Sequence, residues 1–151
     1  MKASSAILGV LLGLAATPAL AQAGCKGATT LSVQVSGMES SRGQVAITVY
    51  GSNPKKFLAP GAKLARERVK AVSPVTEACF DLPGPGVYAV AVYHDANANS
   101  DFDRTALGMP AEGFGFSNDA PTRFGLPSFD SAKFTAKAGA NPMRIKLRYV
   151  K

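Results

Sequence analysis

The chain has 151 residues, of which 46% are apolar and 18% charged, with one His, two Cys, no Trp and a formal net charge of +7. That length supports one domain, and the apolar fraction can build a core, so wholesale disorder is excluded. A single His excludes any site that needs two imidazoles, and no motif in the chain spells out a reaction.

The N-terminal segment reads as a secretory signal peptide. Lys2 supplies a positive start, Ala6 to Ala16 form an apolar run, and Pro18 precedes a small-residue cleavage site at Ala19-Leu20-Ala21. The segment covers residues 1–21, with residue 23 as the alternative end, and leaves 22–151 as a single domain. The apolar run is too short to span a bilayer as a helix, and no other stretch comes close. Cys25 and Cys79 both survive cleavage, and two thiols in an oxidising compartment pair as one disulfide. Ala23-Gly24-Cys25 also resembles the tail of a lipoprotein processing site, which would place a lipid on Cys25. Gln22, where such sites carry an apolar residue, weighs against that alternative.

The mature chain then reads as β structure. Leu31, Val33 and Val35 alternate with Ser32, Gln34 and Ser36, the pattern of a half-buried strand. A turn at Ser41-Arg42-Gly43 leads to a second alternating set at Val45, Ile47 and Val49. Lys55 to Val72 fits a short helix or an extended run; we read it as a strand. Ala78, Phe80 and Leu82 form a short strand ended by Pro83-Gly84-Pro85-Gly86. Val87 to Tyr93 is apolar on both faces, as a central strand covered on both sides should be. Ala132 to Ala136 and the alternating Met143, Ile145, Leu147 and Tyr149 complete the set. Six or seven short strands predict an all-β, antiparallel β-sandwich with a long loop after its central strand. That loop, His94 to about Asp130, lacks periodicity, yet Phe102, Phe114, Phe116, Phe124 and Phe129 predict an ordered flap that packs down.

The flap opens on Asp95-Ala96-Asn97-Ala98-Asn99-Ser100-Asp101-Phe102-Asp103, with oxygen-bearing side chains at every second position through Asp103. Hard cations take six to eight oxygens, so Asp95, Asn97, Asn99, Asp101 and Asp103 are candidate Ca²⁺ ligands and calcium the candidate cofactor. The order is similar to the start of an EF-hand loop, but Ser100 stands at the turn glycine and Ala106 at the closing Glu. The competing reading is an Asx-rich turn whose side chains bond their own backbone. Asp95, Asp101, Asp103, Glu112 and Asp119 make half of the ten acids, and such a cluster repels itself unless a cation, Arg104 or Arg123 compensates.

His94 is the candidate base of a hydrolase-like site, with Asp95, Asp103 or Glu112 beside it and Ser100 or Ser117 as nucleophile. Adjacent strand residues point to opposite faces, however, so Asp95 is poorly placed to orient His94. A structural His at a strand end is the favoured reading. Basic residues gather at Lys55 to Lys70 and on the last strand; they read first as solvated faces, and second as an envelope-surface contact. Nucleic acid is not an expected partner, since the basic segments lack interleaved aromatics.

Two runs carry a resemblance: Gly86-Val87-Tyr88-Ala89-Val90-Ala91-Val92-Tyr93-His94-Asp95-Ala96-Asn97-Ala98-Asn99, and Gly108-Met109-Pro110-Ala111-Glu112-Gly113-Phe114-Gly115-Phe116-Ser117-Asn118. Together with Pro127-Ser128-Phe129 and Ile145-Lys146-Leu147-Arg148-Tyr149 they resemble the bacterial domain of unknown function 2141. The resemblance implies an exported bacterial domain, periplasmic or extracellular, with an immunoglobulin-like or transthyretin-like sandwich, and it implies no activity. The resulting expectation is a non-enzymatic binding domain. Its flap, through His94, Glu112, Phe114 and Phe116, would meet an envelope protein, a glycan or a small molecule. Gly113 and Gly115 would bring the backbone close to that ligand.

Overall fold

The computed structural model describes residues 24–123 and 125–150, so the signal-peptide reading lies outside the described residues. Eight strands form two sheets: β1 (Thr29–Ser36), β2 (Gln44–Tyr50), β3 (Ala65–Lys70), β4 (Val75–Asp81), β5 (Gly86–Asp95), β6 (Gly113–Phe116), β7 (Phe134–Ala136) and β8 (Gly139–Lys146). One sheet has the order β4-β1-β8. The other has the order β3-β2-β5-β6, with β7 pairing the start of β5. Among the described residues helix is confined to single turns, and none is long and apolar enough to cross a membrane.

The alternation in β1 does what its period requires. Leu31, Val33 and Val35 are fully buried between the sheets, where they meet Val45, Ile47 and Val49 of β2 and Val90 and Val92 of β5. β5 is covered on both faces. Tyr88, Val90 and Val92 join this inner core, while Ala89 joins a second cluster on the opposite face with Phe114, Phe116 and Phe129. Phe102, Phe114, Phe116 and Phe129 of the flap thus build a core of their own on the outer face of the five-stranded sheet, while Phe124 lies outside the described residues.

Four details differ from the sequence reading. Lys55 and Lys56 lie in a 3-10 turn capped by Asn53, and the strand of that segment is confined to Ala65–Lys70. The flap contains a strand, β6, at four residues too short for periodicity to reveal. Ala132 ends a helical turn, α1 (Phe129–Ala132), so the strand after it begins at Phe134. The sheets are antiparallel except for one pair, β1 with β8, which is parallel with Val33 beside Met143. At the end of β8 the chain changes sheet. Leu147 N–H still donates to Ser36 of β1, but Arg148 exchanges two backbone hydrogen bonds with Phe114 of β6. This bridge joins the two layers along one side.

Cys25, just before β1, is disulfide-bonded to Cys79 of β4, with Cα atoms 5.8 Å apart, inside the usual range for a disulfide. Its sulfur is therefore not free to carry a lipid. The carboxylate of Asp81 accepts the N–H groups of Lys26 and Gly27 and fixes the same entry.

Candidate ligand groove and acidic loop

The outer face of the five-stranded sheet carries a depression whose origin is the pairing register. Arg66 of β3 pairs with Thr48 of β2, Thr48 with Ala91 of β5, and Ala91 with Phe116 of β6. Paired residues share a face, so this row runs large, small, small, large across the sheet. The two small side chains leave a trough, and flap residues Phe102, Met109, Pro110 and Leu126 form its other wall. The groove is open to solvent along one side and measures about 520 Å³, within the range of small-molecule sites.

The next row carries Arg68, Ala46, Tyr93 and Phe114. The Tyr93 hydroxyl donates to the carbonyl of Ser100 and accepts from Nη2 of Arg68, each at 3.1 Å. Burial pushes the Tyr93 phenol above its ordinary pKa, while the charges of Arg68 and Arg66 pull it back. Arg68 also donates to Ser100 O at 2.7 Å, and its Nε is buried without an acceptor. Arg66 Nε donates to Thr48 Oγ1 at 2.7 Å. Arg104 lies 5.2 Å from the centre of the Phe102 ring and donates to Gly108 O.

Phe114 and Phe116 line this groove. Gly113 and Gly115 do not. They face the other way, where a Cβ on Gly113 would run into the ring of Tyr149 and one on Gly115 would come within 2.8 Å of Ile145 Cγ2. Their role is to let β6 press against the segment that changes sheet.

The acidic loop closes on itself. Asp95 is fully buried; its Oδ1 accepts Asn99 N–H, and its Oδ2 accepts Ser100 N–H and the Gln44 amide. Burial pushes the Asp95 pKa up, but the bonds from Gln44, Ser100, Asn99 and Ala98 outweigh it and hold the carboxyl below its ordinary value. The oxygens of Asn97 and Asn99 accept backbone N–H groups two residues on, while their NH₂ groups donate to Asp103. Ser100 adopts φ 69°, so the chain makes the turn expected of a glycine there without having one. Glu112 lies behind this loop. Its Oε2 accepts Asp103 N–H at 3.1 Å, and its Oε1 is buried without a donor. Burial raises the Glu112 pKa; the Asp103 N–H opposes this, and the nearby charges of Asp103 and Asp95 add to it. Asp101 is exposed, with only its backbone N–H engaged in the loop. Among the described residues, no three of His, Cys, Asp and Glu converge closely enough to hold a metal ion.

His94 is buried beneath Tyr149, away from the groove. Nε2 stands 2.7 Å from the carbonyl of Arg42, which only accepts, so Nε2 of the neutral ring carries the hydrogen. Nδ1, 2.8 Å from Tyr149 Oη, then accepts from that hydroxyl, which in turn accepts Glu39 N–H. Both ring nitrogens are thus used within the fold. Ser117 is four β5 positions from His94; its hydroxyl accepts Val90 N–H and donates to Ala132 O. Ser100 accepts weakly from Gln44. The structure therefore does not bring His94, a serine and a free carboxylate together.

Sequence reasoning placed Arg66 and Arg68 on a solvated face and missed Thr48 and Ala91 as groove floor. Arg66 and Arg68 two residues apart in an extended run were the available signal, since such residues share a face. Just past the last strand, Arg148 is committed internally, donating to the carbonyls of Asp119 and Ala120.

A family model described as "Uncharacterized protein conserved in bacteria (DUF2141)" matches residues 33–144. No curated protein and no solved structure matches the chain.

Proposed function

Because the chain belongs to the bacterial DUF2141 family, a description that names no activity, we propose from its own geometry that it is an exported, non-enzymatic domain that binds a small molecule in the groove between sheet and flap. The observation that carries this reading is the trough over Thr48 and Ala91, roofed by aromatic and aliphatic side chains of the flap. Two features support it. Met109, Leu126 and Val150, apolar residues left exposed, all line the groove, and contiguous exposed apolar surface marks interaction sites. The Cys25–Cys79 disulfide suits an oxidising compartment outside the cytoplasm.

The test is an NMR titration of the oxidised domain with 8-anilinonaphthalene-1-sulfonate. Shifts concentrated at Ala91, Phe102 and Phe116, and abolished in Ala91→Phe, support the groove. Shifts elsewhere, or unchanged in that variant, overturn it.

A second reading gives the acidic loop a calcium ion. It is favoured by the buried, donor-free Oε1 of Glu112, next to a loop whose acids form no ion pair among the described residues. Binding would require Asn97 and Asn99 to turn their amide oxygens toward Asp103, since they now present NH₂ groups. Thermal unfolding in EDTA and in excess Ca²⁺ tests this. A site at a hundredfold excess over its dissociation constant adds about 2.7 kcal/mol; coincident curves remove the ion from the reading.

A further inference from the structure

The groove is apolar in body but one-sided in charge. Arg66, Arg104 and Arg123 line it and no Asp or Glu does. Among the described residues the ion pair joins Lys133 to Asp130, and no carboxylate reaches any of the three within ion-pair distance. Two of them are held by neutral acceptors instead, Arg66 by Thr48 Oγ1 and Arg104 by Gly108 O and the Phe102 ring. Behind Tyr93 stands Arg68, whose Nε is buried with no acceptor. Arg66, half-buried and held on Thr48 at an apolar wall, attracts an anion more strongly than the same group in bulk solvent, whereas Arg104 and Arg123 are exposed and add a screened attraction.

The body of the ligand follows from the walls. Tyr93, Phe102, Phe114 and Phe116 form a chain of edge-to-face rings, with centroids 5.4 Å apart for Tyr93–Phe102, 6.0 Å for Phe102–Phe114 and 6.1 Å for Phe114–Phe116. Such an array extends naturally to a further ring.

Resting on the groove reading above, we infer that the occupant is an aromatic monoanion, a ring-bearing apolar body with one carboxylate- or sulfonate-type group. Its rings lie over Ala91 against Phe102 and Phe116, and its anion sits at the Arg66 end. Arg104 bounds the flap side. Neutral aromatics of the same shape fill the trough but leave the guanidinium charge uncompensated.

A matched dye pair separates shape from charge. 8-Anilinonaphthalene-1-sulfonate and N-phenyl-1-naphthylamine share one skeleton and differ by the sulfonate. By fluorescence titration of the oxidised domain, the anionic dye binds at least tenfold more tightly. Its affinity falls as NaCl is raised, while that of the neutral dye does not. Arg66→Gln removes most of the difference between the two dyes, whatever it does to the affinity they share. Arg104→Gln, on an exposed side chain, reports the same effect more weakly should Arg66→Gln fail to fold. Equal affinities for the two dyes, both lost in Ala91→Phe, overturn the anion inference and leave the groove standing. Binding of either dye that survives Ala91→Phe overturns the groove itself, and the anion inference with it.

Discussion

The hydroxyl of Tyr149 stands 2.8 Å from Nδ1 of His94, and the direction of that bond is set from the far side of the ring. In the neutral ring, Nε2 donates to the carbonyl of Arg42, so Nδ1 accepts and Tyr149 gives its hydrogen. The one His of the chain thus ties the turn at Arg42, strand β5 and the sheet-changing segment into one polar cluster.

Removing that hydroxyl isolates the bond. In Tyr149→Phe the ring stays against Gly113, but His94 Nδ1 loses its donor and Glu39 N–H its acceptor. A loss of about 1–3 kcal/mol is expected, the cost of stranding a buried polar group. Urea unfolding of the variant against the parent measures it; unchanged stability would mean that water replaces the hydroxyl.

The two glycines of β6 are expected to be unequal. Gly113→Ala puts a methyl into the Tyr149 ring, and Gly115→Ala puts one against Ile145 and the Lys146 carbonyl. Overpacking of this kind costs about 1–3 kcal/mol. Tyr149→Leu, which also removes the hydroxyl, should cost less in the Gly113→Ala background than in the parent and as much as in the parent in the Gly115→Ala background, a difference that a double-mutant cycle reads directly.

Ser100→Gly should stabilise the domain. Ser100 holds φ 69°, a left-handed conformation that costs a residue with a Cβ about 1–2 kcal/mol, whereas glycine adopts it freely. The weak bond from Gln44 at 3.3 Å and the extra freedom of the unfolded glycine offset part of that gain. A net rise of roughly 0.5–1 kcal/mol in unfolding free energy is expected.

Asp95 and Glu112 should give opposite pH dependences. The Asp95 carboxyl is held below its ordinary value of 3.8, so its contribution is complete above that pH and is lost as pH falls below it. The penalty of Asp95→Asn therefore shrinks on acidification. The Glu112 carboxyl is raised above 4.5, so it favours the fold fully below that pH and loses this contribution as pH rises through its folded value. Glu112→Gln gains on its parent over that rise. Chemical unfolding of the three proteins from pH 3 to 7 checks both signs.

Much of the fold was legible in the chain. The period of two in β1 and in the run through Tyr149, and the two-sided apolar character of β5, follow from burial alone and appear in the structure where they were expected. The pairing of Cys25 with Cys79 was legible too, since two cysteines allow one intramolecular bridge. Strand direction was not. The alternation of Met143, Ile145 and Leu147 buries the same face whether β8 runs parallel or antiparallel to β1, so the parallel pair carried no signal. β6 was hidden for a related reason: Gly113 and Gly115 occupy its inward positions, where a strand pattern expects apolar side chains.

The composition of the site was in the sequence, but its assembly was not. Phe114 and Phe116 could be read as ligand-facing surface, and the D-x-N-x-N run as a turn rich in oxygen. That Arg66, Thr48, Ala91 and Phe116 stand in one row is a matter of register across four strands, and register is set by tertiary pairing over long sequence separations. The chain alone determined which residues seek burial and where it turns. The tertiary structure decided which small side chains stand side by side, and so where the trough opens and which charges face it.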